Sequence, residues 1–301
     1  MAFFIPFGRY FAFINFMSRI ILFAFVLLFA SCDISVNGQA ESEPKPKPKH
    51  MSYSYGCVDS AVAGSKMNRT ISRAGDLLRD IAVDDKEITD QVQTEYGEAF
   101  HKDAIESKTF VLLNDSKMQQ DLDKALADLL AVRTKPSDIK YYIYALDDTT
   151  VNAFTFGGRI YITKAMYNKC KSKPSLLYAI IGHEIGHSEK GHIKKTIQEM
   201  MLHNKIFGEE NGSFVFQIKR LLTGSFNQRN ELEADYYGTD LTYSLNQDIC
   251  AAVEFWKEMA EMENEYNQLE DFFRSHPFSS LRAECLQAHI KTNFQQSCSV
   301  K

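Results

Sequence analysis

A mainly helical α+β fold is predicted for this chain by three observations. Apolar residues recur at helical spacing over most of its length, strand character is confined to two short stretches, and no internal repeat points to a solenoid. Taken in order, the spacing predicts helices at about 65–83, 86–103, 117–132, 174–190, 192–205, 214–222, 228–245, 248–264 and 278–291. Asp115 or Ser116 can cap the third, since a short polar side chain there accepts an orphan N–H of the first turn. Pro174 suits the first turn of the fourth, where its missing N–H loses no partner. Leu176, Leu177, Ile180 and Ile181 bury one side of that helix. The strands are Tyr141–Leu146, rich in Tyr and Ile, and Gly158–Thr163, where Ile160 and Ile162 alternate.

Residues 1–31 carry no acid and only Arg9 and Arg19 as charges. Read from Met17, which is then the true start, the segment becomes Met-Ser-Arg, an apolar run from Ile20 to Ala30, and Ser31-Cys32. That order resembles a bacterial lipoprotein signal, which implies cleavage before Cys32 and a lipid on its thiol. Phe29 stands where Leu is usual. An uncleaved anchor helix and ordinary cleavage without lipid are the alternatives. Residues 32–56 follow as a tether, because Glu41 to His50 is mostly alternating proline and charge, an extended spacer that buries no core. Residues 57–301 are long enough for one large globular domain.

The chain is acidic. Its 39 Asp and Glu stand against 34 Lys and Arg, two of which lie in the leader. That balance excludes nucleic acid as a partner and electrostatic adhesion to anionic lipid. Past residue 31 no uninterrupted apolar run approaches the ~18 residues a membrane span needs. Five cysteines follow Cys32: Cys57, Cys170, Cys250, Cys285 and Cys298. An oxidising compartment allows two disulfides and one thiol, with the connectivity open, and no pair has the C-x-x-C spacing of a metal site.

Residues 183–192 read His-Glu-Ile-Gly-His-Ser-Glu-Lys-Gly-His and hold three of the eight histidines. On a helix, His183 and His187 are one turn apart and share a face, so two neutral imidazoles can grip one zinc ion. Glu184, a step round the helix, stays off the metal but close enough to take a proton from water activated there. Catalytic zinc takes three protein ligands. His192 would lie about 140° from His187 if the helix continued, so it reads as a helix-end or supporting residue rather than a ligand. Asn230-Glu231-Leu232-Glu233-Ala234-Asp235 offers a better third ligand. Glu231 and Asp235 are four apart and face one way, so Glu231 can bind the metal while Asp235 accepts the free ring N–H of a zinc histidine. Glu233 points roughly opposite, and a solvated acidic face is the bland alternative for the whole segment.

His183-Glu-Ile-Gly-His187 followed by Glu231-Leu-Glu-Ala-Asp235 resembles the metallopeptidase family of the CAAX prenyl proteases and the HtpX-type proteases, most of all its soluble Oma-type and outer-membrane-assembly members. Asn152-Ala-Phe-Thr-Phe-Gly-Gly-Arg-Ile-Tyr-Ile-Thr163 resembles the strand segment upstream of that family's zinc helix, and His276-Pro277 with Arg282 its downstream stretch. The resemblance implies a zincin-like (gluzincin) domain with a small sheet edge beside the cleft. It implies one zinc on His183, His187 and Glu231, Glu184 as base, and Asp235 behind a ligand. His276 is then either a stabiliser of the transition state or a movable gate. Asn152, Gly157, Gly158 and Arg159 become substrate-binding, with the glycines letting an extended backbone come close; a plain hairpin end is the alternative. Phe214, Ile218, Leu221 and Leu222 have helical spacing and read as core packing, with a lid over the cleft as the sharper idea. The expectation is a lipid-anchored zinc endopeptidase of the bacterial cell envelope, facing the periplasm or the exterior, that hydrolyses unfolded or misassembled proteins. The rivals are a chaperone-like client-binding protein with a gated zinc site and a structural zinc site in a scaffold.

Overall fold

The computed structural model describes residues 43–57, 85–207, 218, 227–262, 276 and 279–298. The leader, Cys32, the helix expected at 65–83 and all but Ile218 of the one expected at 214–222 lie outside the described residues.

Helix α1 (Asp90–Glu106) starts at Thr89, whose side chain accepts from Val92 N–H. Helix α2 (Ser116–Ala131) is capped by Asp115, whose carboxylate accepts from the N–H groups of Lys117 and Met118. Strands β1 (Tyr142–Leu146), β2 (Ala153–Phe156) and β3 (Arg159–Thr163) form one sheet in the order β1-β3-β2. Strand β1 runs parallel to β3, and β2 antiparallel. The hairpin turn is Gly157-Gly158, with φ of 56° and 80°. Two left-handed residues match the twist of the flanking strands and favour glycine at both places.

The segment 158–163 is therefore the central strand, bonded on both sides, and the edge expected of it belongs to β2. The other edge is plugged. Gln119 extends its amide along β1, donating to Ile143 O and accepting from Ala145 N–H, while Leu113 and Val111 pair with Ala145 and Asp147. Such plugging removes an aggregation-prone edge. Among the described residues β2 alone pairs on one side only.

Among the described residues six more helices follow: α3 (Lys164–Cys170), α4 (Pro174–Glu189), α5 (His192–Phe207), α6 (Gln228–Ser244), α7 (Cys250–Met262) and α8 (Ser279–Phe294). Sheet residues alternate between two cores. Ile143, Ala153, Ile160 and Ile162 face α2 and α4, whereas Phe156 and Tyr161 pack with Phe100 and Phe110 against α1 and α5.

The closest helix-to-helix packing lies between α4 and α6. A Cβ on Gly182 would stand 2.9 Å from Gly238 Cα, one on Gly186 2.9 Å from Ala234 Cα, and one on Gly238 2.6 Å from His183 N. Four small residues thus let the two backbones touch, and side chains flanking the crossing face one another at short range.

The expected tether does not stand off the domain over its second half. Lys45 N–H donates to Ser244 O, Ser52 exchanges two hydrogen bonds with the Asn293 amide, Tyr53 O–H donates to Asp240 and Tyr236 O–H to Ser54 O. Proline-rich chain cannot form a core, but it can lie extended along α6 and α8 and use their polar side chains. Cys57 then bridges to Cys285, and Cys250 to Cys298. Among the described residues Cys170 is the free cysteine, 2% exposed, and burial pushes its thiol up to about 12. In a Cys32→Ser chain, a thiol reagent at pH 8 should label none of the folded cysteines, one after denaturation without reductant, and five after reduction. More than one label before reduction contradicts the pairing.

Candidate active site

The crossing of α4 over α6 brings His183, His187 and Glu231 together, and His276, from the chain before α8, completes a ring of four buried side chains with one donor atom of each inside 4.8 Å of the others. His183 Nε2 and His187 Nε2 are 3.0 Å apart. Glu231 approaches them at 3.5 and 3.4 Å, and His276 Nδ1 lies 3.3 Å from His183 Nε2 and 3.1 Å from Glu231 Oε2. Glu184 is beside the ring, 1% exposed, with Oε1 3.7 Å from His276 Nε2.

The far sides of these rings are held. Asp235 Oδ1 takes the Nδ1–H of His183 at 2.9 Å, and Ala153 O takes the Nε2–H of His276 at 3.0 Å. A neutral imidazole that donates from one nitrogen presents a lone pair on the other. Lone pairs of His183 and His276 therefore point into the ring with Glu231, whose Oε1 is buried without a hydrogen-bond partner. A donor set of imidazole nitrogens and one bare carboxylate oxygen fits a zinc ion. Burial disfavours a proton on His276, but Glu231 and Glu184 together outweigh burial and raise its pKa.

Arg282 was singled out in the sequence only as part of a motif, yet it organises the anionic side of the site. It is 1% exposed and lies 3.4 Å over the Trp256 ring. Its Nε and Nη2 donate to the two oxygens of Asp235 at 2.8 Å each, and Nη1 is ion-paired with Glu231 Oε2 at 2.7 Å. Burial alone would raise both carboxyls. Arg282, joined by His183 at Asp235 and by His276 and His187 at Glu231, outweighs it, holding Asp235 at about 2 and Glu231 well below the usual range. Glu184 lacks such a clamp, and burial raises its pKa, partly offset by His276 and His183. Burial also drives His187 well below its ordinary value, keeping it neutral.

The remaining expected residues are distributed differently. Asn152 adjoins Ala153 at the ring end of β2, its main chain paired with Thr163. Gly157, Gly158 and Arg159 are not brought to the ring. They sit at the far end of the hairpin, where the close backbone is the protein's own: a Cβ on Gly157 would meet Gln93 O at 2.2 Å, and one on Gly158 Lys140 O at 2.4 Å. Arg159 lies over Tyr142 and donates to Thr94 O. His192 is no ring member; its Nδ1 is 3.0 Å from His187 Nδ1.

Comparison with known proteins agrees with this geometry. The model of peptidase family M48 matches residues 116–290, from α2 into α8. The chain belongs to peptidase family M48. Metalloprotease LoiP of Escherichia coli is 26% identical over 201 residues, covering 63% of this chain and 77% of that protein. The mitochondrial metalloendopeptidase OMA1 of Schizosaccharomyces pombe is 26% identical over 171 residues, covering 54% of this chain and 50% of the relative. OMA1 of Arabidopsis thaliana is 24% identical over 216 residues, covering 68% and 43%. This chain thus spans about half or less of the mitochondrial relatives. As an M48 peptidase it is a zinc-dependent metalloendopeptidase acting on protein substrates. Among the described residues no helix is long and apolar enough to cross a membrane.

Replacing Arg282 by Met leaves two buried carboxylates without their cation, a loss of about 3–5 kcal/mol in unfolding free energy of the metal-free M48 peptidase. Urea unfolding in the presence of a chelator measures it. An unchanged midpoint contradicts the clamp.

Proposed function

We propose that this M48 peptidase is a lipid-anchored endopeptidase of the bacterial cell envelope that cleaves unfolded or misassembled proteins. The observation that carries the reading is the convergence of His183, His187 and the bare Glu231 oxygen next to buried Glu184, at the open edge of β2. In this reading His183, His187 and Glu231 hold a single zinc. When bound, zinc acidifies a water molecule in the site and polarises the scissile carbonyl. Glu184 accepts the proton of the attacking water on a carboxylate oxygen and passes it to the leaving amine nitrogen. Its raised pKa makes it a stronger base than a solvated carboxylate. Asp235 holds the Nδ1 proton of His183, and Arg282 helps the histidines keep Asp235 and Glu231 ionised for these tasks.

The edge of β2 supports the substrate class. Asn152 O faces β3, so the alternate carbonyl, Ala153 O, faces outward. Extended substrate can add to that edge by main-chain hydrogen bonds, with Asn152 at its margin. A chain free of its own fold offers such a strand along its whole length. The two disulfides and the lipoprotein-like leader support an oxidising envelope compartment and an anchor at Cys32.

A second reading, a gated site that holds clients and cuts rarely, is favoured by His276. Its Nδ1 stands at the fourth corner of the ring while its Nε2–H occupies Ala153 O, so one side chain closes both the donor set and the outward edge. The two readings combine if His276 must swing out before cleavage.

Glu184→Gln should lower cleavage of an unfolded protein such as casein by about 10²–10⁴-fold while zinc stays bound; retained activity removes Glu184 as the base. His276→Ala should cleave faster than wild type in the same assay. A fall of about 10²–10³-fold instead assigns His276 to the oxyanion and contradicts the gate.

A further inference from the structure

His192 and Glu233 pack behind His187 and have no part in the chemistry above. Helix α4 ends at Lys190, and Gly191 follows with φ of 75° and no atom within 4 Å of a Cβ placed on it. Glycine serves the turn there, not the packing. The turn swings His192, 2% exposed, back over the last turn of α4, where its ring meets His187 edge to face at 5.1 Å.

The hydrogen bonds then set every proton. His192 Nε2 is 3.1 Å from Glu233 Oε2. A carboxylate only accepts, so His192 carries its proton on Nε2 and, as a neutral imidazole, accepts on Nδ1. The atom 3.0 Å from that lone pair is His187 Nδ1, which must donate. His187 is left with its lone pair on Nε2, aimed into the ring. At the outer end Glu233 is itself fixed by Arg229 Nε at 3.2 Å.

We propose that His192 is a positioning residue of the active site, a neutral imidazole relay aligned by Glu233 that sets the tautomer and aim of His187 toward the metal. The proposal rests on the reading of His187 as a zinc ligand. The two histidine ligands are thus oriented by different means. His183 leans on Asp235 directly, with Arg282 offsetting the charge. Arg282 does not reach the His187 side, and a carboxylate placed at 192 would add a fourth buried negative charge to Glu184, Glu231 and Asp235. An imidazole passes the orienting effect of Glu233 inward while leaving its charge at the half-buried rim, where the Glu233 side chain is 24% exposed.

The test is zinc affinity of the full chain by competition with a chromophoric chelator, with the visible spectrum of the cobalt-substituted protein as a second readout. His192→Phe keeps a ring of similar size without nitrogens and should weaken zinc about 10–100-fold. His192→Asn, whose amide oxygen can stand where Nδ1 stood, should stay within about 3-fold of wild type and keep its cobalt spectrum. Glu233→Leu, at the rim and tolerant of substitution, should weaken zinc in the same direction even where His192→Phe does not fold. Wild-type affinity in His192→Phe or Glu233→Leu overturns the relay, as does equal loss in the Asn and Phe forms. His187→Ala separates the premises: if it binds zinc like wild type, the ligand reading fails and the relay with it.

Discussion

The backbone contact between α4 and α6 is the constraint on which the site depends. Any side chain larger than hydrogen at Gly182, Gly186 or Gly238 would force the helices apart. Their contact holds His183 and His187 across from Glu231 and Asp235, so ligands from two helices meet without long flexible arms. Preorganisation of that kind is what a metal site requires, since a ligand displaced by an ångström loses its hold. The sheet contributes through β2, whose Ala153 carbonyl meets His276 at the ring.

Charge imposes the second constraint. Glu184, Glu231 and Asp235 are all buried within one small region, and Arg282 is the cation that the fold supplies to it. Arg282 and the neighbouring histidines lower the pKa of Glu231 and Asp235, while burial still leaves Glu184 with a raised one. The same burial therefore yields anions of two kinds: clamped ones suited to binding and orienting, and one suited to moving a proton. Stacking on Trp256 gives the guanidinium an apolar floor without removing its charge.

Much of the helical frame was legible because each helix carries its own signals. Pro174 opens α4 and Asp115 caps α2, and the helix expected at 174–190 ends where Gly191 reverses the chain. The meeting of His183, His187 and Glu231 was legible for the same reason, each motif sitting on a single helix face. What depended on pairing between distant segments was not. The expected edge strand is central because β1, which precedes the hairpin, pairs with β3 rather than β2. Gly157 and Gly158 receive α1 and Lys140 rather than substrate. The short strand β2 and helix α3 carry too little periodicity to be read alone. A proline-charge stretch gives no hint that Asn293, Asp240 and Ser244 will hold it. The spacing Gly182-x-x-x-Gly186 against Ala234-x-x-x-Gly238 was a readable signal for the helix crossing, and Arg282 had one in its distance from His276.

The central claim is that one zinc sits where two α4 histidines meet an α6 carboxylate. Crystals of the zinc-loaded protein, with diffraction recorded on both sides of the zinc absorption edge, test it most directly. The account predicts a single anomalous peak within bonding distance of His183 Nε2, His187 Nε2 and a Glu231 oxygen. A peak elsewhere, or none at this ring in protein that binds zinc in solution, would contradict it.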